Sequence, residues 1–209
     1  MTTHHITPMS ANCPVVTVVI PCFWSDYLLL LRWLKDFISI SDDNVRYVVV
    51  LNGFGDSDCI DLFRSSILSY IKVASPLTPG EARNIALSSI KSGHVAFLDV
   101  RTIPSSDWIS SLLQFCYTHP QGSQIGSVLY VPTRPWHYPL LSSTYGHKAM
   151  SSLPGSVFHI SAIHTNGFFL PGFRAGEDLD WLWRIKSRSL TEPYSSPPLF
   201  YFIDANLGL

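Results

Sequence analysis

Residues 80–84 have the sequence GEARN and residues 95–104 have the sequence VAFLDVRTIP. We predict a helix over Gly80–Ser92 and, after it, a strand over Val95–Asp99. The unbroken apolar run is typical of a strand buried on both faces of a parallel sheet. Asp99 and Arg101 follow the run at the edge where open α/β sheets bind their ligands. The position of Asp99 is compatible with two interpretations: it binds a ligand, or it only caps the following turn. Position alone favours neither.

The composition is that of a globular protein. The chain has 209 residues, of which 46% are hydrophobic and 14% charged, so it can form one sizeable core. The net charge is −1 without a basic run, so we expect no nucleic-acid partner. No apolar run reaches about 18 residues, so we expect no transmembrane segment and a location in the cytoplasm or at a membrane surface. The cysteines show no C-x-x-C pair, which argues against a zinc site of the ribbon or finger kind and favours reduced thiols: Cys13, Cys22, Cys59 and Cys116.

The first half of the chain predicts alternating strands and helices, and hence a parallel sheet with right-handed crossovers. The predicted strands are Val15–Ile20 (central, stopped by Pro21), Arg46–Leu51, Ile71–Val73 (at an edge) and Val95–Asp99. Four helices are predicted. They run from Ser25 or Asp26 to about Ser39, from the end of the loop at Asp58 to about Tyr70, from Gly80 to Ser92, and from about Ser105 to Tyr117. In the first helix, Leu28, Leu31 and Leu34 have helical spacing and are expected in the core.

The second half differs in composition and predicts fewer regular elements. Residues 119–154 are rich in Pro, Gly, Ser, His and aromatic residues, and we expect a long connection there with one strand. A helix opens at Glu177, with Leu179, Leu182 and Trp183 expected to pack on the sheet. The predicted strands are Gly126–Val131, Val157–Ile163, Phe168–Leu170 and, at an edge, Leu199–Ile203. We predict a flexible leader over residues 1–14 and a single domain over residues 15–209.

Four segments between Val15 and Arg188 together form a recognisable pattern. They are Val18-Val19-Ile20-Pro21; Asn52-Gly53 with Asp56; Ala82-Arg83-Asn84 with Phe97-Leu98-Asp99; and Gly176-Glu177-Asp178 with Arg184. Their order and spacing resemble the family 2 glycosyltransferases, which use nucleotide sugars and have the GT-A fold. The resemblance implies an α/β fold: a single GT-A-like (Rossmann-like) domain with a mostly parallel central sheet flanked by helices. It assigns nucleotide-sugar binding to residues 15–117 and acceptor binding with catalysis to residues 118–209.

The resemblance also implies a donor site in the loops after the first two strands. It places Pro21, Phe23 and Asp56 near the base and ribose, with Asn52 where an acid is usual. An amide can still form hydrogen bonds to the edge of a base, but its donor and acceptor pattern differs from that of a carboxylate. The alternative is that Asn52 only forms an ordinary turn with Gly53. Arg83 corresponds to an arginine near the diphosphate, where a planar guanidinium suits phosphate oxygens; otherwise it is a surface arginine.

By the same resemblance, Asp99 is the first acid of a D-x-D motif that holds a divalent metal ion. The third position is Arg101, a departure from the motif. Mg²⁺ or Mn²⁺ takes several hard oxygen ligands, and one carboxylate with phosphates offers few. Three hypotheses stay open: Asp99 holds a metal ion, Arg101 replaces the metal's charge on the leaving diphosphate, or catalysis is lost.

Glu177 and Asp178 resemble the family's Glu-Asp pair, which supplies the catalytic base. The resemblance implies that Asp178 takes the proton of an acceptor hydroxyl and that Glu177 orients it. Alternatively, these acids only complement the helix dipole, and Asp180 with Arg184 only forms a surface pair. Expected acceptor-side residues, unless they merely pack under a loop, are Trp136, His137, Tyr138, Tyr145 and His147.

The function implied by the resemblance is an inverting transfer of one sugar from a nucleoside-diphosphate donor to a hydroxyl on a glycan, a lipid-linked molecule or a protein. The Q-x-x-R-W sequence of processive members is absent, so we expect a single addition. The alternative is a catalytically silent relative that binds nucleotide or glycan, or serves as a scaffold. Arg101 and Asn52 favour this alternative, whereas Arg83, Asp99, Glu177 and Asp178 favour the enzyme.

Overall fold

The computed structural model of the chain describes residues 16–31, 34, 42–55, 65–132, 148–188, 190–191 and 199–203. The predicted leader, most of the predicted second helix and the aromatic residues at 136–147 lie outside the described residues. No described helix has the length and apolar character needed to span a bilayer.

One mixed sheet runs through both halves of the described chain. Its strands are β1 (Val16–Phe23), β2 (Val45–Asn52), β3 (Leu68–Val73), β4 (His94–Phe97), β5 (Thr102–Ile103), β6 (Ser123–Pro132), β7 (Met150–His159) and β8 (Leu199–Ile203). Their order across the sheet is β3-β2-β1-β4-β7-β6-β8-β5. The pairs β3–β2, β2–β1, β1–β4 and β6–β8 are parallel, whereas β7 runs antiparallel to β4 and β6, and β5 to β8. The predicted mostly parallel α/β fold is confirmed.

Helices cover both faces of this sheet. They are α1 (Pro79–Ser89), α2 (Trp108–Thr118), α3 (Ile160–Asn166) and α4 (Glu177–Ser187); Trp24–Asp26 form a 3₁₀ turn, and residues 27–31 and 34 are helical. One apolar cluster joins α2 and the 27–34 segment to one face, and a second joins α1, α3 and α4 to the other. The sheet is therefore buried between two cores, as its apolar strands predict.

Helix α1 begins where its capping sequence directs. The Thr78 hydroxyl accepts from the N–H of Glu81, and the Glu81 carboxylate accepts from the Thr78 N–H at 2.9 Å. This capping box satisfies N–H groups that would otherwise lack a partner, and Pro79 suits the first turn because it has no N–H to satisfy. The local sequence thus fixes the start of the helix that carries Arg83 and Asn84.

β1 continues past Pro21, so the predicted stop is wrong. The carbonyl of Val19 accepts from Leu98 N–H on the β4 side, and Pro21, two residues on, faces the same side. Pairing between β1 and β4 ends at Val19, whereas pairing with β2 continues to Phe23. The missing N–H of proline therefore removes no ladder bond, and the strand tolerates it.

Several predicted elements in the second half are wrong in type or place. The predicted strand Gly126–Val131 lies within β6, and the predicted connection ends earlier than expected because β7 already begins at Met150. The part of that connection over residues 133–147 lies outside the described residues. Residues 160–163 are helical, since the His159 ring accepts from Ser161 N–H and caps α3, and residues 168–170 form no strand. β8 lies between β6 and β5 and not at an edge; the edge is taken by β5, which is only two residues long.

Two predicted apolar stripes are also shifted. In the first helical segment Leu30 and Leu34 are fully buried, but Leu28 is exposed. In α4, Leu182 packs in the core as expected, whereas Leu179 and Trp183 are 66% and 70% exposed. The buried face of α4 carries Glu177, Trp181, Leu182 and Ile185 instead. In the middle of the chain, residues 68–70 belong to strand β3 and not to a helix.

Candidate functional site

The parallel strands β1, β2, β3 and β4 end at one edge of the sheet, where the candidate site lies. The residues that follow these strands make contacts across the edge, and the N-terminus of α4 joins them. Three groups of contacts define the site: an aromatic group after β1, an ionic turn after β4, and a buried ion pair between α1 and α4.

The aromatic group consists of Phe23 and Trp24, whose ring centroids are 6.1 Å apart. They lie over Gly53, which follows β2 with φ +80°, and a Cβ there would come within 3.3 Å of both rings. Glycine is needed at this position both for its backbone angle and for the close approach. Trp24 is 58% exposed, so the group presents an apolar face to solvent that suits stacking on a base or sugar. Phe23 was expected here; Trp24, its more exposed neighbour, was not.

Asn52 is buried and bonds one residue, Leu77, with both ends of its amide. Its Nδ2 donates to the carbonyl of Leu77, and its Oδ1 accepts from the N–H of Leu77, both at 2.8 Å. The side chain thereby ties the segment before α1 to the end of β2. Pro21 is half-buried beside it in β1, and Asp56 lies outside the described residues.

The ionic turn follows β4 and consists of Asp99, Val100, Arg101 and Thr102. Asp99 Oδ1 accepts from Arg101 N–H at 3.1 Å, and the Thr102 hydroxyl donates to the Asp99 carbonyl at 2.7 Å. The Thr102 N–H donates to the same carbonyl at 2.9 Å. Asp99 therefore does serve its turn, as one of the two interpretations predicts.

Arg101 is ion-paired with Asp26, a contact that the sequence analysis did not foresee. The distance from Arg101 Nη2 to Asp26 Oδ1 is 2.9 Å. Asp26 follows β1, so the rule that drew attention to Asp99, a carboxylate after a buried strand, could also have found it. The pair joins the loops after β1 and β4, which are neighbouring strands.

The pKa of the Cys22 thiol responds to the charges in these two loops. Burial raises the pKa of its thiol to about 12, with smaller contributions from the negative charges of Asp26 and Asp99. Both carboxylates are thus close enough to influence one buried thiol. The candidate site concentrates negative charge here, with Arg101 as the cation among them.

The buried ion pair joins Arg83 of α1 to Glu177 of α4. Arg83 Nη1 lies 3.0 Å from Glu177 Oε1, the two side chains are only 5% and 7% exposed, and the guanidinium lies over the Phe169 ring. Arg83 is therefore not the surface arginine of the alternative interpretation. A Cβ at Gly80 would lie 3.0 Å from Phe169 Cβ and 3.1 Å from Glu177 Cγ, so glycine lets the two helices approach.

Asn84, next to Arg83, repeats the arrangement seen at Asn52. Its Nδ2 donates to the carbonyl of Phe169 at 2.8 Å, and its Oδ1 accepts from the Phe169 N–H at 2.9 Å. Phe169 in turn stacks on Trp181 of α4, with centroids 5.1 Å apart. No local pattern predicts this contact, because the two partners are 85 residues apart.

The N-terminus of α4 holds its two acids in different environments. Glu177 is buried against Arg83, while Asp178 is half-buried and accepts from Leu179 N–H at 2.9 Å. Among the described residues Asp178 forms no ion pair. The two neighbours therefore differ in availability: one carboxylate is neutralised, and the other is not.

Arg184 does more than form the expected surface pair with Asp180. That pair exists, with Nε to Oδ2 at 2.9 Å. Arg184 also donates to the carbonyls of Asn166, at 2.8 Å, and Phe168, at 3.1 Å. It thus fixes the segment between α3 and α4 that also carries Phe169.

The contacts place the N-terminus of α4 at the ligand edge of the sheet. Asn52, at the end of β2, holds Leu77; α1 begins two residues later; and Gly80 in its first turn lies against Glu177. Asn52, Arg83 and Glu177 thus belong to one continuous set of contacts, and Asp178 follows Glu177 in the chain. Trp136, His137 and Tyr138, like Tyr145 and His147, lie outside the described residues.

The donor set of the ionic turn does not fit a resident divalent metal ion. Within the described residues, no three His, Cys, Asp or Glu side chains come together as a ligand group. Asp99 Oδ1 is already bonded to a backbone N–H, and the guanidinium of Arg101 lies at the position of the second acid. A cation placed there would meet a fixed positive charge and few oxygen ligands.

The sheet, its helices and the loops at its carboxyl edge define a GT-A-like fold. A family model described as glycosyl transferase family 2 matches residues 17–182, and the chain belongs to that family. No curated protein sequence matches the chain.

Solved structures show the same fold at low sequence identity. S. aureus TarS matches with a TM-score of 0.64 and 14% identity, covering 90% of this chain and 36% of that one. TarS 1–349 in complex with UDP-GlcNAc gives 0.66 and 13%, covering 91% and 59%. The mannosyltransferase PcManGT from Pyrobaculum calidifontis, in complex with GDP-Man and Mn²⁺, gives 0.60 and 18%, covering 98% and 61%. The chain thus spans about a third to three fifths of the length of these proteins.

Proposed function

We propose that the protein is an inverting, non-processive glycosyltransferase that moves one sugar from a nucleoside-diphosphate donor to an acceptor hydroxyl. The observation that carries the proposal is the difference between the two acids at the start of α4. Glu177 is neutralised by Arg83, and Asp178 is half-buried beside it without an ion pair among the described residues. A carboxylate in that state is suited to take a proton.

In the proposed reaction, Asp178 takes the proton of the acceptor hydroxyl while the oxygen of that hydroxyl attacks the anomeric carbon of the donor sugar. The bond from that carbon to the diphosphate breaks on the opposite side, so the configuration inverts. Glu177 positions the neighbouring Asp178, and Arg83 holds Glu177 in place. The burial of Arg83 supports this indirect role over direct contact with the diphosphate.

The donor is proposed to bind along the ends of β1, β2 and β4. Phe23 offers an aromatic face to the base, and Pro21 and Asp56 complete that side of the site. Asn52 contributes by holding Leu77, while Asp99 and Arg101 lie on the diphosphate side. Support comes from two similar structures solved with nucleotide sugars, one with UDP-GlcNAc and one with GDP-Man, so UDP and GDP sugars are the first donors to test.

A catalytically silent relative is the second candidate, and two observations favour it. Arg101 replaces an acid of the D-x-D motif, and the amide of Asn52 is bonded to Leu77, so it has less to offer a base. Such a protein would bind nucleotide or glycan, or serve as a scaffold, without turnover.

The test compares Asp178→Asn with Asp180→Asn on the same helix. Both changes remove one negative charge, but Asp180 is paired with Arg184. We expect Asp178→Asn to lower the release of nucleoside diphosphate from a panel of UDP, GDP, dTDP and CDP sugars by about 10²–10⁴-fold, as for loss of a general base. Nucleotide affinity should persist, and Asp180→Asn should keep its turnover.

Other outcomes would decide against the proposal. Unchanged turnover in Asp178→Asn would show that another group is the base. Nucleotide binding without turnover in the unaltered protein, across the donor panel and a range of hydroxyl acceptors, would favour the silent relative.

A further inference from the structure

The turn after β4 builds a fixed place for the side chain of Arg101. The Arg101 N–H donates to Asp99 Oδ1, and the Thr102 hydroxyl both donates to the Asp99 carbonyl and accepts from the Asp99 N–H, at 3.2 Å. Thr102 is fully buried, so the turn is anchored in the protein. The backbone that carries Arg101 is therefore set before any ligand arrives.

The guanidinium is held as well as the backbone. Asp26 binds Nη2 of Arg101 at 2.9 Å, and both side chains keep only a minor exposed fraction. A guanidinium has a planar fork of five N–H donors whose geometry suits phosphate oxygens as well as carboxylates. A cation fixed in this way loses little conformational freedom when it binds an anion.

The formal charge of the site supports a specific role for this cation. With an acid at position 101, Asp26, Asp99 and that acid would together carry three negative charges. An arginine in its place raises the charge by two units, which is the charge a divalent metal ion would bring. Asp26, Asp99 and Arg101 together therefore have the same formal net charge as three carboxylates with a bound divalent metal ion.

We propose that Arg101, held by Asp26 and by the Asp99 turn, binds the diphosphate of the donor in place of a divalent metal ion. The inference rests on the proposed function, because it concerns the diphosphate of the same donor. The guanidinium offsets part of the charge on the leaving diphosphate, and donor binding needs no metal. A second cation at this position is disfavoured, since it would be repelled by Arg101.

The experiment measures the binding of UDP, GDP, dTDP and CDP by calorimetry, each with Mn²⁺ and with EDTA. The unaltered chain is expected to bind one of them with the same affinity, within about threefold, in both conditions. Arg101→Asp recreates a D-x-D sequence, and we expect it to lose at least about tenfold in affinity in EDTA and to regain it with Mn²⁺. Arg101→Gln should lose affinity in both conditions, because it has neither the cation nor the acid.

The matched control is Lys91→Asp. It makes the same change of two charge units on an exposed side chain before β4, at the opposite edge of the sheet. This variant should bind as the unaltered chain does in both conditions. Thermal unfolding identifies any variant that does not fold; if Arg101→Asp is one, Arg101→Gln decides the test.

The possible failures are distinguishable. Binding by the unaltered chain that requires Mn²⁺ would overturn the role of Arg101 and leave the proposed donor site intact. Unchanged affinity of Arg101→Gln in EDTA would do the same. No binding of any nucleoside diphosphate in either condition would overturn the donor site itself and this inference with it.

Discussion

Arg83 and Glu177 show what a single buried pair contributes to the site. Their charges are removed from water, and their contact joins α1 to α4 across a sequence separation of 94 residues. Pairs of this kind are weak evidence for net stability, because desolvation offsets much of their attraction. Losing one partner is different, because the other charge is then left buried and uncompensated.

We therefore expect Glu177→Gln and Arg83→Met each to lower the free energy of unfolding by about 3–5 kcal/mol. The double variant should be less destabilised than the sum of the single ones, since neither charge is left alone. Denaturant unfolding of the four proteins measures this difference as a double-mutant cycle.

Asp180→Asn is the control, because it breaks the more exposed pair with Arg184 on the same helix. That change should cost less than about 1 kcal/mol. Equal effects at Asp180 and Glu177, or strict additivity in the cycle, would contradict the importance of the buried contact.

Local rules drew attention to individual residues of the candidate site. Asp99 and Arg101 stood out because they follow a buried strand, and Glu177 and Asp178 because they begin a helix. The partners of Asn52 and Arg83 could not be predicted, because they lie 25 and 94 residues away along the chain. A side chain that bonds a distant peptide group leaves no periodic signal in the sequence.

At the scale of elements, β6 and β7 show how closely two strands can pack. The register between them shifts between Gln124 and Gly126, and the Gly126 N–H donates to Ser156 Oγ at 2.8 Å. A Cβ at Gly126 would overlap the backbone carbonyl of Gly155. Glycine is thus required here by the neighbouring strand and not by its own backbone angle.

Gly126→Ala should accordingly destabilise the protein by about 3 kcal/mol, because backbone cannot move aside as a flexible side chain can. Ser127→Ala, on the same strand, serves as the control and should stay within about 0.5 kcal/mol. Thermal or denaturant unfolding distinguishes the two. A stable Gly126→Ala variant would mean that the strands separate at little cost.

Elements with strong local patterns were predicted correctly in type, whereas β5 and α3 were not. β1, β2, β4, α1 and α4 were identified from apolar runs and an acidic helix start, within a few residues at their ends. β5 is too short to leave a pattern, and only its pairing with β8 makes it a strand. Residues 160–163 are apolar enough for a strand, but the His159 cap makes them helical.

For the molecule as a whole, one of the two apolar cores encloses two thiols, Cys22 and Cys116, that should not react in the native state. Burial raises the pKa of both Cys22 and Cys116 to about 12. At pH 8 roughly one thiol in ten thousand would then be a thiolate, which is the reactive form. Both cysteines are free of disulfides, as the sequence predicted for the chain.

Reaction with a thiol reagent should therefore report global unfolding. In a variant with Cys13→Ser and Cys59→Ser, we expect labelling at pH 8 to be very slow without denaturant and rapid above the unfolding midpoint. The rate should follow the denaturant dependence of unfolding measured by circular dichroism. Rapid labelling of the native protein would show that one of the cores opens locally.

The bonds of Asn52 also bear on the chemical lifetime of the protein. Asparagine followed by glycine is prone to lose its amide, because the next backbone nitrogen, unhindered by a side chain, attacks the amide carbon and forms a cyclic imide. Here that nitrogen, on Gly53, donates to the carbonyl of Val73 at 2.9 Å, and both ends of the amide are bonded to Leu77. Deamidation at this dipeptide should thus occur only in the unfolded chain, so folding slows the chemical ageing of the protein at this position.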